Sequence, residues 1–299
     1  NSAFFTLYTE TDGKKDLRLL EGPVPFYLYE GASGSIATNH GLPRFNEVSF
    51  EAAYPLGQVN LKTPRIPVEV KIKAFNPLIP GDIESSSIPI AVLDFELKNT
   101  SDREISFTVC GSMQNFIGED GSQGKAIKNI NSFSQENGIS RIFMQSDGVD
   151  KSSEQWGDMT LASTSEGSIS YRTAWLPEKW ASSILDFWDD FSADGKLDNR
   201  KDDVSDKPMA SLAVSNVLPP HGTKTVRFLL TWYFPNRIAW SEAPLKNFYS
   251  TQYTNSWDVA LKTIPSLAVL ENKTIEFVSA LCSSDLPETV KEAALFNIS

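Results

Sequence analysis

Val68-Glu69-Val70-Lys71-Ile72-Lys73-Ala74 alternates apolar and charged residues with a period of two. Successive side chains of a strand point to opposite faces, so this stretch reads as a strand with one face buried and the other in water. Working outward, Ile88 to Leu97 is almost wholly apolar around Ile90 and Val92 and reads as a central strand. Asn99-Thr100-Ser101-Asp102 is a turn cluster, and beyond it Ile105, Phe107 and Val109 alternate with polar residues. The two runs read as a hairpin. Further strands are expected at Ile139–Met144, Met159–Ala162, Ile169–Trp175, Ala210–Val217 and Val226–Phe234, each bounded by turn residues. Many short strands at near-regular spacing predict a mainly β fold, a two-sheet antiparallel β-sandwich.

Two segments break this period. Trp180, Ile184, Phe187, Trp188 and Phe191 share one helical face, which predicts a short helical insertion. From about Ser241 the pattern turns helical again through Tyr249, Tyr253, Trp257, Leu261, Ile264, Leu267, Leu270, Val278 and Leu281. Pro265 is a break or a first-turn residue. The change of period divides the chain into a sandwich over 1–240 and a helical segment over 241–299. The apolar stripe from Trp257 to Leu281 needs cover, either from the sandwich or from further helices. Both ends read as cut. Asn1-Ser2-Ala3-Phe4-Phe5 is already strand-like, and a helix begins at Pro287 near the C-terminus, with Asp285 placed to cap it.

The chain has 299 residues, 40% apolar and 22% charged, an ordinary globular composition. Its formal net charge is −11. That acidic balance argues against nucleic acid or an anionic membrane as partner, since both need a positive field. No apolar run reaches the length of an integral membrane segment. Cys110 and Cys282 form no CxxC pair and no disulfide framework, and Cys110, inside Phe107-Thr108-Val109-Cys110, reads as a buried thiol.

Little in the sequence assembles chemistry. His40 and His221 lie in turns, away from the cysteines, so neither a zinc site nor a Ser-His-Asp triad forms locally. No cofactor and no metal is expected. Asp190, Ser192, Asp194 and Asp198 with Gly195 mimic the oxygen spacing of an EF-hand loop, but Lys201 stands where the bidentate Glu belongs, and the segment to Lys207 reads as a solvated acidic loop. Gly31-Ala32-Ser33-Gly34-Ser35 lacks the Lys-Ser/Thr of a phosphate loop. Asn99, Asn272 and Asn297 sit in glycosylation sequons at about chance frequency. Tryptophan is the one excess: Trp232 reads as core, while Trp156 and Trp180 fit either packing or a sugar-stacking surface.

Three stretches, in order, resemble the N-terminal domain of glycoside hydrolase family 116, the β-glucosidase and non-lysosomal glucosylceramidase family. The first is Ala74-Phe75-Asn76-Pro77-Leu78-Ile79-Pro80-Gly81-Asp82 with Ser85 to Val92. The second is Leu97-Lys98-Asn99-Thr100 leading to Gly111-Ser112-Met113-Gln114-Asn115. The third is Leu218-Pro219-Pro220-His221-Gly222 leading to Phe228-Leu229-Leu230-Thr231-Trp232-Tyr233-Phe234-Pro235-Asn236-Arg237. The resemblance implies a supersandwich-like domain ahead of an (α/α)6 catalytic toroid, in an enzyme that cleaves β-glucosidic bonds with retention. It implies that the nucleophile Glu and the acid/base Asp lie in the toroid, so no residue here is expected to be catalytic. The missing catalytic domain is then the expected partner, with a β-glucoside or glycan as a possible ligand. Phe75, Asn76, Pro80, Trp232, Pro235, Asn236 and Arg237 are the candidate residues of the domain interface. Prolines stiffen the turn at 75–80, and Arg237 is placed to pair with a carboxylate across the boundary. The alternative is a stand-alone carbohydrate-binding sandwich.

Overall fold

The strands follow in chain order: β1 (Ala3–Thr11), β2 (Lys14–Leu19), β3 (Glu47–Ala53), β4 (Leu56–Lys62), β5 (Val68–Phe75), β6 (Ile90–Asn99), β7 (Ile105–Gln114), β8 (Asn129–Glu136), β9 (Ile139–Ser146), β10 (Asp158–Ser163), β11 (Ser168–Arg172), β12 (Met209–Leu218), β13 (Thr223–Tyr233), β14 (Asn236–Ile238) and β15 (Pro244–Lys246). The computed structural model describes residues 3–28, 41–119, 121, 124–176, 182–199 and 205–297. One sheet has the order β11-β12-β7-β1-β2 and the other β3-β4-β5-β6-β13-β10-β9-β8, while β14 and β15 form a separate hairpin. All pairings are antiparallel. The two large sheets form the expected mainly β sandwich.

Alternation decides which side chains fill it. Val68 and Val70 of β5, Phe95 and Leu97 of β6, Phe107 and Val109 of β7 and Leu212 and Val214 of β12 all face one buried core. At its centre Phe5, Phe95 and Phe228 pack with ring centroids 4.6 to 5.8 Å apart. A Cβ on Gly111 would strike the Phe5 ring, which accounts for glycine in Gly111-Ser112-Met113-Gln114-Asn115.

The hairpin expected of β6 and β7 does not form. β6 lies between β5 and β13 in one sheet, and β7 lies between β12 and β1 in the other. Their connection crosses from sheet to sheet. A five-residue turn suits either geometry, and here Phe95 and Leu97 meet Phe107 and Val109 across the core instead of side by side. Asn99 holds the crossing. Fully buried, its Nδ2 donates to Arg103 O (2.6 Å) and Pro219 O (3.0 Å), and its Oδ1 accepts from Ser101 N (2.9 Å). That burial also rules out a glycan on Asn99. His221 sits in the adjoining exposed turn with φ 54°.

Each sheet also has an apolar outer face, and helices cover both. After the short α1 (Ile83–Ser86) comes α2 (Ser182–Asp194). Phe187 and Phe191 pack against Phe4, Tyr8, Leu17, Leu19 and Trp175 on the outside of the five-stranded sheet. Trp175 stacks on Phe187 at 4.5 Å and donates from Nε1 to Ser211 Oγ. A spacing of four puts Asp186 and Asp190 on one helical face. There they grip Arg172, whose Nη1 and Nη2 lie 2.8 and 2.7 Å from the two carboxylates and whose side chain is fully buried. The helix thus runs on through Asp194, and Gly195, at φ 73°, ends it. Asp190 and Asp194 are therefore helical and not ligands of an EF-hand-like loop. Trp180, Lys201 and His40 lie outside the described residues.

On the eight-stranded sheet the cover comes from α3 (Ser256–Thr263) and α4 (Leu267–Cys282); α5 (Glu288–Asn297) follows them. Leu267, Trp257 and Ile264 pack on Phe75, Ile90, Val92 and Leu229. Buried polar contacts set the position. Ser256, fully buried at the start of α3, donates from its backbone N–H to Asp158 Oδ1 (2.6 Å). Its hydroxyl meets Thr160 Oγ1 (2.8 Å), and its carbonyl accepts from Thr231 Oγ1 (2.7 Å). Further along, Arg227 binds Asp94 through two hydrogen bonds of 2.7 and 2.5 Å and reaches Glu271 of α4 at 3.5 Å.

Two measurable consequences follow from these anchors. Arg172→Met leaves Asp186 and Asp190 facing a covered surface without their counter-charge, so it is expected to cost about 3–5 kcal/mol in urea unfolding. Burial raises the Asp158 carboxyl to about 6. A raised carboxyl binds its proton more tightly in the fold than in the unfolded chain, so this group's contribution is greatest in acid and is lost as pH rises from about 4 to 6. Asp158→Asn keeps an acceptor for Ser256 and removes the titration. Its unfolding free energy relative to the parent is expected to rise by up to roughly 3 kcal/mol between pH 4 and pH 7.

Candidate functional site at the loop-rich end

The antiparallel registers gather the connections unequally. At one end of the sandwich lie the tight turns 12–13, 63–67, 100–104, 137–138, 164–167 and 219–222. The other end receives the connections 76–89, 115–128, 147–157 and 173–208, together with the β14–β15 hairpin and the entry to α3. In sandwich folds the rigid sheets carry function on loops clustered at one end.

An asparagine network ties the two sheets together at this end. Asn115, fully buried, donates from Nδ2 to Asn131 Oδ1 (3.0 Å) and Gln145 O (3.0 Å). Asn131 Nδ2 reaches across to Thr173 O (2.9 Å) and Pro208 O (3.1 Å).

The candidate interface residues fall into three places. Phe75 is buried on the outer face with Leu267, and the turn after it docks α4 of the same chain. Leu78 N donates to Thr274 Oγ1 (3.1 Å), and that hydroxyl donates to Leu270 O (2.8 Å). Ser86 Oγ closes the turn by bonding both the N–H and the carbonyl of Ile79, and Asp82 caps α1 through Ser85 N. Asn76 is half-buried there and Pro80 is exposed. Trp232 is elsewhere, packed against the sandwich core. Pro235, Asn236 and Arg237 open the β14–β15 hairpin.

That hairpin is held firmly at its base. Asn236 Nδ2 donates to Lys151 O (2.8 Å) and Ser153 O (2.9 Å), and Ile238 N donates to Glu154 Oε1 (2.6 Å). Asn247 Nδ2 and Tyr249 OH both donate to Phe234 O at 2.7 Å, and burial raises the Tyr249 phenol. Beyond this base the hairpin exposes apolar side chains among Arg237, Glu242 and Lys246. Trp240 at the tip is 98% exposed, with Ile238, Leu245 and Phe248 about half exposed. Arg237 is exposed beside Leu245 and has no ion pair among the described residues. Sequence reasoning passed over Trp240. Its signal is the setting: Trp240-Ser241-Glu242-Ala243-Pro244 places the ring in a turn, outside any apolar run. By contrast Trp175 is buried and Trp156, Trp188, Trp232 and Trp257 are half-buried.

A groove of about 520 Å³ lies between the β3–β5 strands and α4, lined by Ala53, Leu56, Phe75 and Ile275 with Glu51, Asp94 and Glu271. Glycoside hydrolysis needs one carboxyl free to protonate and a second free to attack. Asp94 and Glu271 are instead both held by Arg227. Among the described residues no cluster of His, Cys, Asp and Glu is arranged to hold a metal ion, and no helix is long and apolar enough to cross a membrane.

Thr274 links turn and helix through one hydroxyl. Thr274→Val leaves the Leu78 N–H without its acceptor, which is expected to cost about 1–3 kcal/mol and to speed hydrogen exchange at Leu78 ahead of the strands.

Comparison with known proteins places this architecture. Among solved structures the chain is similar to a polysaccharide lyase, at TM-score 0.40 and 11% identity over 79% of this chain and 26% of that one. It is also similar to a protein assigned as a kojibiose phosphorylase from human microbiome, at TM-score 0.39 and 12% identity over 94% of this chain and 31% of that one. The chain thus spans about a quarter to a third of the length of these structures, and neither likeness is close enough to transfer an activity. The family model described as beta-glucosidase 2, glycosyl-hydrolase family 116 N-term, matches residues 2–270. That span takes in both sheets, the hairpin and the covering helix α3, and the chain belongs to glycosyl-hydrolase family 116 as its N-terminal domain.

Proposed function

We propose that this chain is the non-catalytic sandwich of a β-glucosidase- or glucosylceramidase-type hydrolase, and that its loop-rich end braces a helical catalytic domain. The observation that carries the reading is the bare hairpin. A tip with Trp240 98% exposed, on a base fixed by the side chains of Asn236, Glu154, Asn247 and Tyr249, is costly in water unless something covers it. Rigid aromatic anchors rimmed by polar groups are how interfaces concentrate their binding energy. The capture of Asp94 and Glu271 by Arg227 fits a domain without the two working carboxylates of a glycosidase.

The same exposed ring supports the second reading, a carbohydrate-binding sandwich that stacks a pyranose on Trp240. One set of measurements separates the two. The chain alone is expected to hydrolyse no aryl β-glucoside and to give no heat with cellobiose or longer glucans. It is expected to bind the separately produced helical domain of its own polypeptide, with Trp240→Lys weakening that binding at least tenfold at unchanged melting temperature. Heat with cellobiose that vanishes in Trp240→Lys favours the carbohydrate-binding reading, and turnover by the chain alone overturns both.

A further inference from the structure

The apolar row under α3 and α4 runs on past their cover. In register across the eight-stranded sheet it is Ala53 of β3, Leu56 of β4, Phe75 of β5, Val92 of β6 and Leu229 of β13. Val92 and Leu229 are sealed, whereas Ala53 and Leu56 are only half-buried. With Phe75 and Ile275 they line the groove of about 520 Å³ beside α4. The next row on the same face is polar: Glu51, Gln58, Lys73, Asp94 and Arg227. Strand alternation therefore sets Glu51 beside Ala53 on one wall, and a helical spacing of four sets Glu271 beside Ile275 on the other. The neighbouring cations are already engaged. Lys73 pairs with Glu96 at 3.1 Å, and Arg227 binds Asp94 closely and reaches Glu271 only at 3.5 Å. Glu51 is exposed and has no ion pair among the described residues.

We propose that this groove binds a small organic ammonium ion with an apolar tail. The tail lies along Ala53, Leu56, Phe75 and Ile275, and the ammonium group sits between Glu51 and Glu271. An apolar lining with a few converging polar groups, in a volume of this order, is the make-up of a small-ligand site. The carboxylates select the charge of the occupant. A neutral apolar molecule seated there strips water from Glu51 and Glu271 and returns no hydrogen bond, which is unfavourable. An anion meets two like charges in a chain that is already at −11. An ammonium group brings three donors and the missing counter-charge, so it replaces the displaced water with charge-assisted hydrogen bonds. No residue of the β14–β15 hairpin lines the groove, so this site stands independently of any bracing at the loop-rich end.

Methyl nuclear magnetic resonance of the 299-residue chain tests it, with hexylammonium chloride as the probe and butylammonium, 1-hexanol and hexanoate beside it. Hexylammonium is expected to shift the Ala53, Leu56 and Ile275 methyl signals saturably. Each methylene between butylammonium and hexylammonium is expected to tighten binding about two- to fourfold. At low salt 1-hexanol is expected to bind about threefold or more weakly than hexylammonium, and hexanoate is expected not to compete. Glu51→Gln is expected to weaken hexylammonium about three- to fivefold at unchanged melting temperature. Ile275→Lys, which places an ammonium of the chain's own in the groove, is expected to abolish the shift at Ala53. The absence of a saturable shift with hexylammonium overturns the inference. So does 1-hexanol binding as tightly as hexylammonium, or an affinity for hexylammonium that is undiminished in Glu51→Gln.

Discussion

A sheet that is apolar on both faces must be covered on both. Here the inner faces cover each other, but Ile90, Val92, Ala162 and Leu229 leave the eight-stranded sheet with a second apolar side. At about 25 cal/mol per Å² of apolar surface, leaving that side in water would offset much of the modest net stability of a fold. The helices α3 and α4 take that place. Trp257, Ile264 and Leu267 of the stripe find their cover on the sandwich while Leu261 and Ile275 stay exposed, and the family match runs through residue 270, into the first turn of α4. On the other sheet α2 does the same work with Phe187 and Phe191.

Polar groups decide where those covers sit. Apolar contact is non-directional and would tolerate a sliding helix. Ser256 among Asp158, Thr160 and Thr231 fixes the start of α3, and Arg227 with Asp94 and Glu271 fixes α4 further along. Arg172 fixes α2 by one guanidinium between two carboxylates. Each anchor is expensive to break because the groups left behind are buried. Burial also keeps Cys110 inert, its thiol pushed up to about 12.

The stretches that carried the family resemblance have physical work to do. Phe75 to Asp82 docks α4 through Leu78 and Thr274. Asn99 and Leu218 to Gly222 meet at the sheet-to-sheet crossing, and Gly111 makes room for Phe5. Phe228 to Arg237 runs from the core out to the bare hairpin. The resemblance thus rests on residues whose backbone or packing role admits few substitutes.

Local periodicity was enough for β5, β6, β7 and β9 to β13, for the sandwich class and for the helical tail, since alternation and helical spacing are properties of neighbouring residues, whereas β2, β3, β4, β8 and the β14–β15 hairpin escaped it. It also carried the reading of Trp232 as a packed ring and of His221 as a surface turn. Which sheet a strand joins was decided only in three dimensions: the turn at Asn99 fits a hairpin or a crossing, and only the partners of Phe95 and Phe107 choose between them. The partner of Asp186 and Asp190 was likewise set only by the fold, since Arg172 lies in a strand remote from that acidic run. The gathering of long connections at one end depends on the antiparallel registers of the whole sheet, and no short window of sequence contains it.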